Sequence, residues 1–104
     1  MPSNHKMLLI FVDETDTWGE MPLYEAIVRK LAHAEVAGAT VQAGIMGFGS
    51  HHKVHHKRLF GISDDRPVTI AAVDTAAAIE RGLAEVRPIV AEGLIVTLDV
   101  EVVS

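Results

Sequence analysis

The order strand, helix, strand occurs twice along this chain, and this repeat limits its fold more than any other feature. The first copy begins with the apolar run MLLIFV at residues 7–12, which has the length of a strand buried on both faces. A helix is predicted over 22–36, where Pro22 suits a first helical position and apolar residues recur at helical spacing. Its apolar stripe is formed by Leu23, Ile27, Leu31 and Ala34. The β-branched segment 39–48 predicts the second strand, and its glycines indicate a bulge.

The second copy follows the same plan. Residues 68–74 read as a strand, and a helix is predicted over 75–92 with Thr75 as its N-cap. Residues 94–103 form the clearest strand, because apolar and polar side chains alternate along it. Its apolar side carries Leu94, Val96, Leu98, Val100 and Val102.

Glycine and proline mark the predicted helix ends. Gly38 and Gly93 each stand between a helix and the strand that follows it, and we expect both to act as C-caps. Pro88 lies late in the second helix and is expected to end or kink it, because proline lacks the backbone N–H that a helix interior needs.

Two such units predict an α+β, ferredoxin-like βαββαβ sandwich, in which a four-stranded antiparallel sheet carries two helices on one face. A length of 104 residues fits a single domain over 1–104, with a mobile loop at about 49–66. The second face of the sheet is apolar enough to need cover, and another subunit is the simplest cover.

Composition excludes several classes of function. A net charge of −5 argues against nucleic-acid binding, which needs a basic surface. The chain lacks cysteine and an apolar run long enough to span a membrane, so a soluble cytoplasmic protein is expected. It also lacks a nucleophile elbow, a Walker loop and a His-Glu-x-x-His signature, and we therefore expect no enzymatic activity.

The stretch GFGSHHKVHHK at residues 47–57 leaves three interpretations open. The first is a zinc or copper site, since imidazoles four apart share one face of a helix, although in a strand they lie about 13 Å apart. The second is a phosphate or partner contact made by backbone amides with Lys53, His55 and Lys57. The third is a solvated histidine-rich loop. The candidate metal ligands are His51, His52, His55 and His56.

Two long patterns carry a resemblance that covers nearly the whole chain. DETDTWGEMPLYEAIVRKLAHAEVAGATVQAGIMGFGS and KVHHKRLFGISDDRPVTIAAVD resemble the PII-like family of small uncharacterised proteins, a group sometimes encoded beside fluoride-export channels. That family is similar in fold to the PII signal-transduction proteins. The resemblance implies a homotrimer that binds an adenine nucleotide in clefts between subunits. It also implies a loop after the second strand that meets a partner, such as a membrane transporter or channel.

The resemblance also implies roles for individual residues. Gly38 and Thr40 match a Gly-x-Thr that lines the adenine end of the PII cleft. A Gly-Phe-Gly at the mouth of the PII loop, where backbone amides meet phosphate, is matched by Gly47, Phe48 and Gly49. Lys53 falls on a basic position and His55 on a histidine of the uncharacterised family.

Two departures from the PII pattern bear on the ligand. The turn before the last strand is AEGL, without the lysine that holds a triphosphate in PII proteins, and Ala43 replaces the family's arginine. AMP or ADP is therefore expected as the effector rather than ATP, and no cofactor is required. The leading hypothesis is a nucleotide-responsive signalling module. A divalent-metal-binding trimer of the CutA type is the alternative, and an enzyme is the weakest of the three.

Overall fold

The computed structural model describes residues 4–48, 54–55 and 66–104. Its elements, in chain order, are β1 (His5–Asp13), β2 (Thr17–Trp18), β3 (Met21–Pro22), α1 (Leu23–His33), β4 (Thr40–Ala43), β5 (Gly47–Phe48), β6 (Val54–His55), β7 (Pro67–Thr75), α2 (Ala76–Val86), a 3₁₀ turn (Arg87–Ile89) and β8 (Leu94–Val100). The expected mobile loop at about 49–66 lies outside the described residues, except for 54–55 and Arg66.

The four long strands form one sheet in the order β4, β7, β1, β8, and every neighbouring pair is antiparallel. The two central strands are the first and third long strands of the chain, while β4 and β8 form the edges. This is the βαββαβ arrangement of a ferredoxin-like sandwich, and it confirms the predicted fold class.

The core lies between the sheet and the two helices. Alternate residues of the central strands are buried there, including Leu8 and Ile10 of β1 and Ile70 of β7. The stripes of both helices close the core with Ile27 and Ile79, neither of which has any exposed surface. This alternation follows from strand geometry, since successive side chains point to opposite faces.

Helix α1 ends in a Schellman motif rather than at Gly38. The amide of Glu35 donates to the carbonyl of Ala32, and the amide of Val36 donates to that of Leu31. Glu35 itself has a φ of 64°, the left-handed conformation usually taken by glycine at this position. The predicted C-cap at Gly38 is therefore wrong. Burial of Val36 beside Leu31 in the core fixes the helix end three residues earlier.

The second half follows its prediction more closely. Thr75 is the N-cap of α2, and its hydroxyl accepts a hydrogen bond of 3.2 Å from the amide of Ala78. The helix ends at Val86, and Pro88 lies in the 3₁₀ turn after it, so the expected effect of this proline is confirmed. The predicted helix to 92 and strand to 103 are both too long.

The predicted strand over 39–48 is also wrong in its extent. Strand β4 stops at Ala43, and the amide of Gly44 then donates a 2.6 Å hydrogen bond to the carbonyl of Pro67. The chain bends at 45–46 and pairs again as β5, but with β6 rather than with the main sheet. Glycine allows this departure because it tolerates close approach of the neighbouring backbone.

A short hairpin joins β1 to α1, in a segment that is polar apart from Trp18, Met21 and Pro22. Strands β2 and β3 pair Trp18 with Met21, and Gly19 takes a φ of 64° in the two-residue turn between them. The ammonium of Lys30 lies 5.3 Å from the centre of the Trp18 ring, a cation–π contact that ties this hairpin to α1.

The face of the sheet that points away from the helices is apolar and bears no other element among the described residues. Register places Leu9 opposite Val96, Met7 opposite Leu98 and Phe11 opposite Leu94 on this open face. Phe11 is 39% exposed and Leu98 is 42% exposed, although both lie within strands. The predicted common face of Leu94, Val96 and Leu98 is confirmed, but Ile95 breaks the polar side of the alternation because it packs against the core.

Candidate functional site

Strand β4 connects the two groups of predicted ligand-binding residues. Gly38 and Thr40 lie at its start, and Gly47 lies beyond its end. The four residues of β4 span about 10 Å, so a single chain does not bring the two groups into contact but places them along one edge of the sheet. All four residues of β4 are exposed.

Thr40 lies on the open face at this edge. It pairs with Ala71, while the next residue, Val41, pairs with the fully buried Ile70 on the helix side. Because side chains alternate along a strand, Thr40 is directed away from the core. Its hydroxyl is therefore available at the border between the open face and the β4 edge.

Gly38 has free space beside it. A Cβ built at this position meets no atom within 4 Å, and its backbone does not take a left-handed φ. Neither backbone strain nor packing within the described part of the chain requires glycine here. A glycine without such a structural reason is compatible with the close approach of a ligand.

Asp74 holds the segment in front of Gly38, and sequence reasoning missed it. One carboxylate oxygen accepts a 2.9 Å hydrogen bond from the amide of Ala37, and the other accepts a 2.7 Å bond from the amide of Thr75. The bond from Ala37 is the largest cause that lowers the pKa of Asp74 below its usual 3.8, and the bond from Thr75 is the next. The signal in the sequence was an aspartate directly before a helix N-cap.

The glycines after β4 lie against Pro67. A Cβ at Gly44 would be 2.8 Å from Cγ of Pro67, and one at Gly47 would be 3.1 Å from the same atom. These two glycines thus have a packing reason, independent of any ligand. Between them Ile45 is 92% exposed and Met46 is 62% exposed.

The backbone of β5 brings two of the predicted site residues together. Gly47 pairs with His55, and Phe48 pairs with Val54, in a short antiparallel ladder. Gly49 and Lys53 lie outside the described residues, as do His51, His52 and His56 of the metal hypothesis. Over the residues that the structure does describe, no group of three or more histidines, aspartates or glutamates could hold a metal ion.

The last described residue before β7 is fixed to the end of β1. A guanidinium nitrogen of Arg66 lies 2.6 Å from a carboxylate oxygen of Glu14, and the amide of Glu14 donates to the carbonyl of Arg66 at 2.8 Å. The side-chain hydrogen bond to Glu14 raises the pKa of Arg66. The chain therefore leaves the main sheet after Ala43, where the amide of Gly44 bonds to Pro67, and re-enters it at Pro67, directly after the fixed Arg66.

The turn before β8 is the third segment that the PII resemblance singles out. It contains Glu92 and Gly93 and no basic residue, so it supplies no positive charge to a triphosphate. A Cβ at Gly93 would lie 2.9 Å from the main-chain oxygen of Phe11, so this glycine serves close packing of the turn on β1. The predicted C-cap role of Gly93 is wrong, because α2 ends well before it.

Comparison with known proteins identifies the family. The model of the DUF190 family, described as "Uncharacterized ACR", matches residues 5–102. This chain belongs to the DUF190 family. A UPF0166 protein of Aquifex aeolicus is 31% identical over 98 residues, which cover 94% of this chain and 92% of that relative. A UPF0166 protein of Methanocaldococcus jannaschii is 33% identical over 98 residues, which cover 93% and 90%.

Comparison with solved structures shows that the fold of this chain is PII-like. CPII, a nitrogen regulatory PII-like protein from Thiomonas intermedia K12 with ADP, AMP and bicarbonate bound, matches with a TM-score of 0.70. The match is 23% identical in sequence and covers 94% of this chain and 87% of CPII. The GlnK–ATP complex of B. subtilis matches with a TM-score of 0.55 at 10% identity, covering 92% of this chain and 84% of GlnK. The predicted PII-like fold is confirmed.

One further observation concerns membranes. Among the described residues, no helix has the length and apolar content that crossing a bilayer requires.

Proposed function

We propose that this DUF190 protein is a PII-like regulatory protein that binds AMP or ADP in clefts between the subunits of a homotrimer and acts without catalysis. The observation that carries the proposal is the match of its fold to CPII, a protein whose structure contains ADP and AMP, over 94% of this chain. The open space beside Gly38 and the exposed position of Thr40 support it at the adenine end of the ligand.

The adenine end of the ligand would lie beside Gly38 and Thr40. The space at Gly38 admits a flat base, and the hydroxyl of Thr40 can donate or accept a hydrogen bond at the border of the open face. Because this edge is exposed in one chain, a second subunit packed on the open face would turn it into a cleft.

The phosphate end would lie at the backbone of Gly47, Phe48 and Gly49, with charge from Lys53 and His55. Successive amides in a turn that glycine permits can form a concave anion site, and nearby cations shorten and strengthen such hydrogen bonds. The turn before β8 lacks a basic residue for a third phosphate. This favours AMP or ADP over ATP.

The open face supports the trimer. A continuous apolar surface that includes Phe11 and Leu98 is costly to leave in water and would be covered by the sheets of two other copies. In this proposal the nucleotide sets the conformation of the segment after β5, which then meets a cytoplasmic part of a partner. The association with a fluoride channel or other transporter stays a prediction.

Calorimetric titration tests the nucleotide. AMP and ADP should bind the wild-type protein, and ATP should bind more weakly. Gly38→Val and Gly49→Val should each weaken AMP binding by at least tenfold, because a side chain would block the approach of the base or the phosphate. Ala84→Val, on an exposed position of α2, is the matched control and should bind as the wild type.

Two outcomes would reject the proposal. The first is the absence of heat from either nucleotide at ligand concentrations up to about 1 mM. The second is unchanged affinity in both glycine variants. The titration is repeated with a chelator, because loss of binding or of the oligomer under chelation would support the metal-binding trimer through the loop histidines instead.

A further inference from the structure

The segment between α1 and β4 is fixed at both ends. At its start, the amide of Ala37 donates to Asp74, which lies at the end of β7. At its other end, Thr40 enters the sheet by pairing with Ala71 of the same strand. Gly38 lies between these two anchors, with open space beside it.

The same carboxylate joins this segment to the start of α2. The second oxygen of Asp74 accepts from the amide of Thr75, the N-cap residue, and the side chain of Thr75 caps the helix through Ala78. A carboxylate that accepts two backbone N–H bonds has its orientation set by both. Through Asp74, the backbone of Ala37 is therefore fixed relative to the start of α2 and to the central strand β7, which are rigid parts of the fold.

A ligand that binds beside Gly38 needs this backbone in one position. If the segment were free to move, ordering it on binding would cost conformational free energy for each residue, and the cost would appear as lost affinity. A preformed segment avoids this cost. Asp74 does not have to touch the ligand to have this effect.

We infer that Asp74 is a positioning residue for nucleotide binding: its carboxylate fixes the backbone of 37–40 so that Gly38 and Thr40 present a preformed surface to the adenine end of the ligand. The inference rests on the proposed function. It goes beyond that function because it assigns part of the affinity for the nucleotide to Asp74, a residue outside the cleft. It also predicts a difference between Asp74 and its neighbour Thr75.

The experiment compares Asp74→Ala with Thr75→Ala. Both variants lose a hydrogen bond at the start of α2, but only Asp74→Ala releases the amide of Ala37. Affinity for AMP is measured by calorimetry, and amide hydrogen exchange is followed at Ala37 and Ala78. Asp74→Ala should bind AMP about tenfold more weakly, with faster exchange at Ala37. Thr75→Ala should keep wild-type affinity and show faster exchange at Ala78.

The outcomes separate the two proposals. Equal AMP affinity in Asp74→Ala and Thr75→Ala would overturn the positioning role while leaving nucleotide binding intact. A wild-type protein that binds neither AMP nor ADP would overturn both. If Asp74→Ala does not fold, Asp74→Leu takes its place, because a leucine side chain accepts no hydrogen bond and releases the amide of Ala37. An unchanged affinity for AMP together with faster exchange at Ala37 would overturn the inference.

Discussion

The Cβ of an alanine at position 93 would lie 2.9 Å from the main-chain oxygen of Phe11, whereas an alanine at position 38 would meet nothing within 4 Å. Both glycines stand between a helix and an edge strand, yet only Gly93 is required by packing. Gly93→Ala should therefore lower the free energy of unfolding by about 2 kcal/mol, because a backbone atom of a central strand cannot move aside. Gly38→Ala should change it by less than about 0.5 kcal/mol. Urea denaturation of both variants checks this, and equal losses would contradict it.

Replacing Glu35 with glycine should stabilise the protein. Glu35 holds a left-handed φ at the end of α1, which costs a residue with a Cβ about 1 kcal/mol and costs glycine little. Glu35→Gly should raise the free energy of unfolding by about 0.5–1 kcal/mol in urea denaturation. Glu35→Ala is the control, because it removes the negative charge near the helix C-terminus but keeps the Cβ. A larger gain in the alanine variant would assign the effect to charge instead.

The two helices show where a local sequence pattern was enough to predict the structure and where it was not. The spacing of Leu23, Ile27 and Leu31 predicted α1, and the hydroxyl of Thr75 predicted the start of α2, because both signals are local. The end of α1 was predicted wrongly at Gly38, since glycine is the usual left-handed residue. Burial of Val36 against the core overrides that preference and leaves the left-handed position to Glu35.

In the candidate site, too, local motifs predicted some features, while others depend on contacts between distant parts of the chain. Gly38, Thr40 and Gly47 could be selected from motifs in the sequence. The place of Asp74 before an N-cap was visible in the sequence, but its bond to Ala37 was not, because it joins residues far apart in the chain. The early end of β4 likewise depends on the bond between Gly44 and Pro67, which is formed only once β7 lies beside it.

The contribution of Asp74 to stability should depend on pH with a known sign. Its hydrogen bonds lower its pKa in the folded state below the unfolded value of 3.8, with Arg81 and His5 adding to the effect. The stabilisation is therefore complete above pH 3.8 and is lost as the pH falls through the folded pKa. Asp74→Asn should be less stable than the wild type by about 1–2 kcal/mol at pH 7, and this gap should close below pH 3.8. A gap that stays constant on acidification would show that the charge of Asp74 contributes nothing.

Adjacent residues of β8 offer a test of the trimer. Leu98 lies on the open face, opposite Met7, while Thr97 is exposed on the other side of the same strand, opposite the buried Leu8. A lysine at Leu98 would place a charge within the proposed apolar interface, and desolvating that charge without a partner opposes association. Leu98→Lys should therefore be monomeric by light scattering at micromolar concentration, and it should also fail to bind AMP, because the cleft needs a second subunit.

Thr97→Lys introduces the same charge one residue away and should remain a trimer that binds the nucleotide. If the wild type is a monomer, or if Leu98→Lys stays trimeric, the open face is not the subunit interface. Nucleotide binding that persists in a monomeric Leu98→Lys would move the ligand site from the cleft between subunits to a single chain.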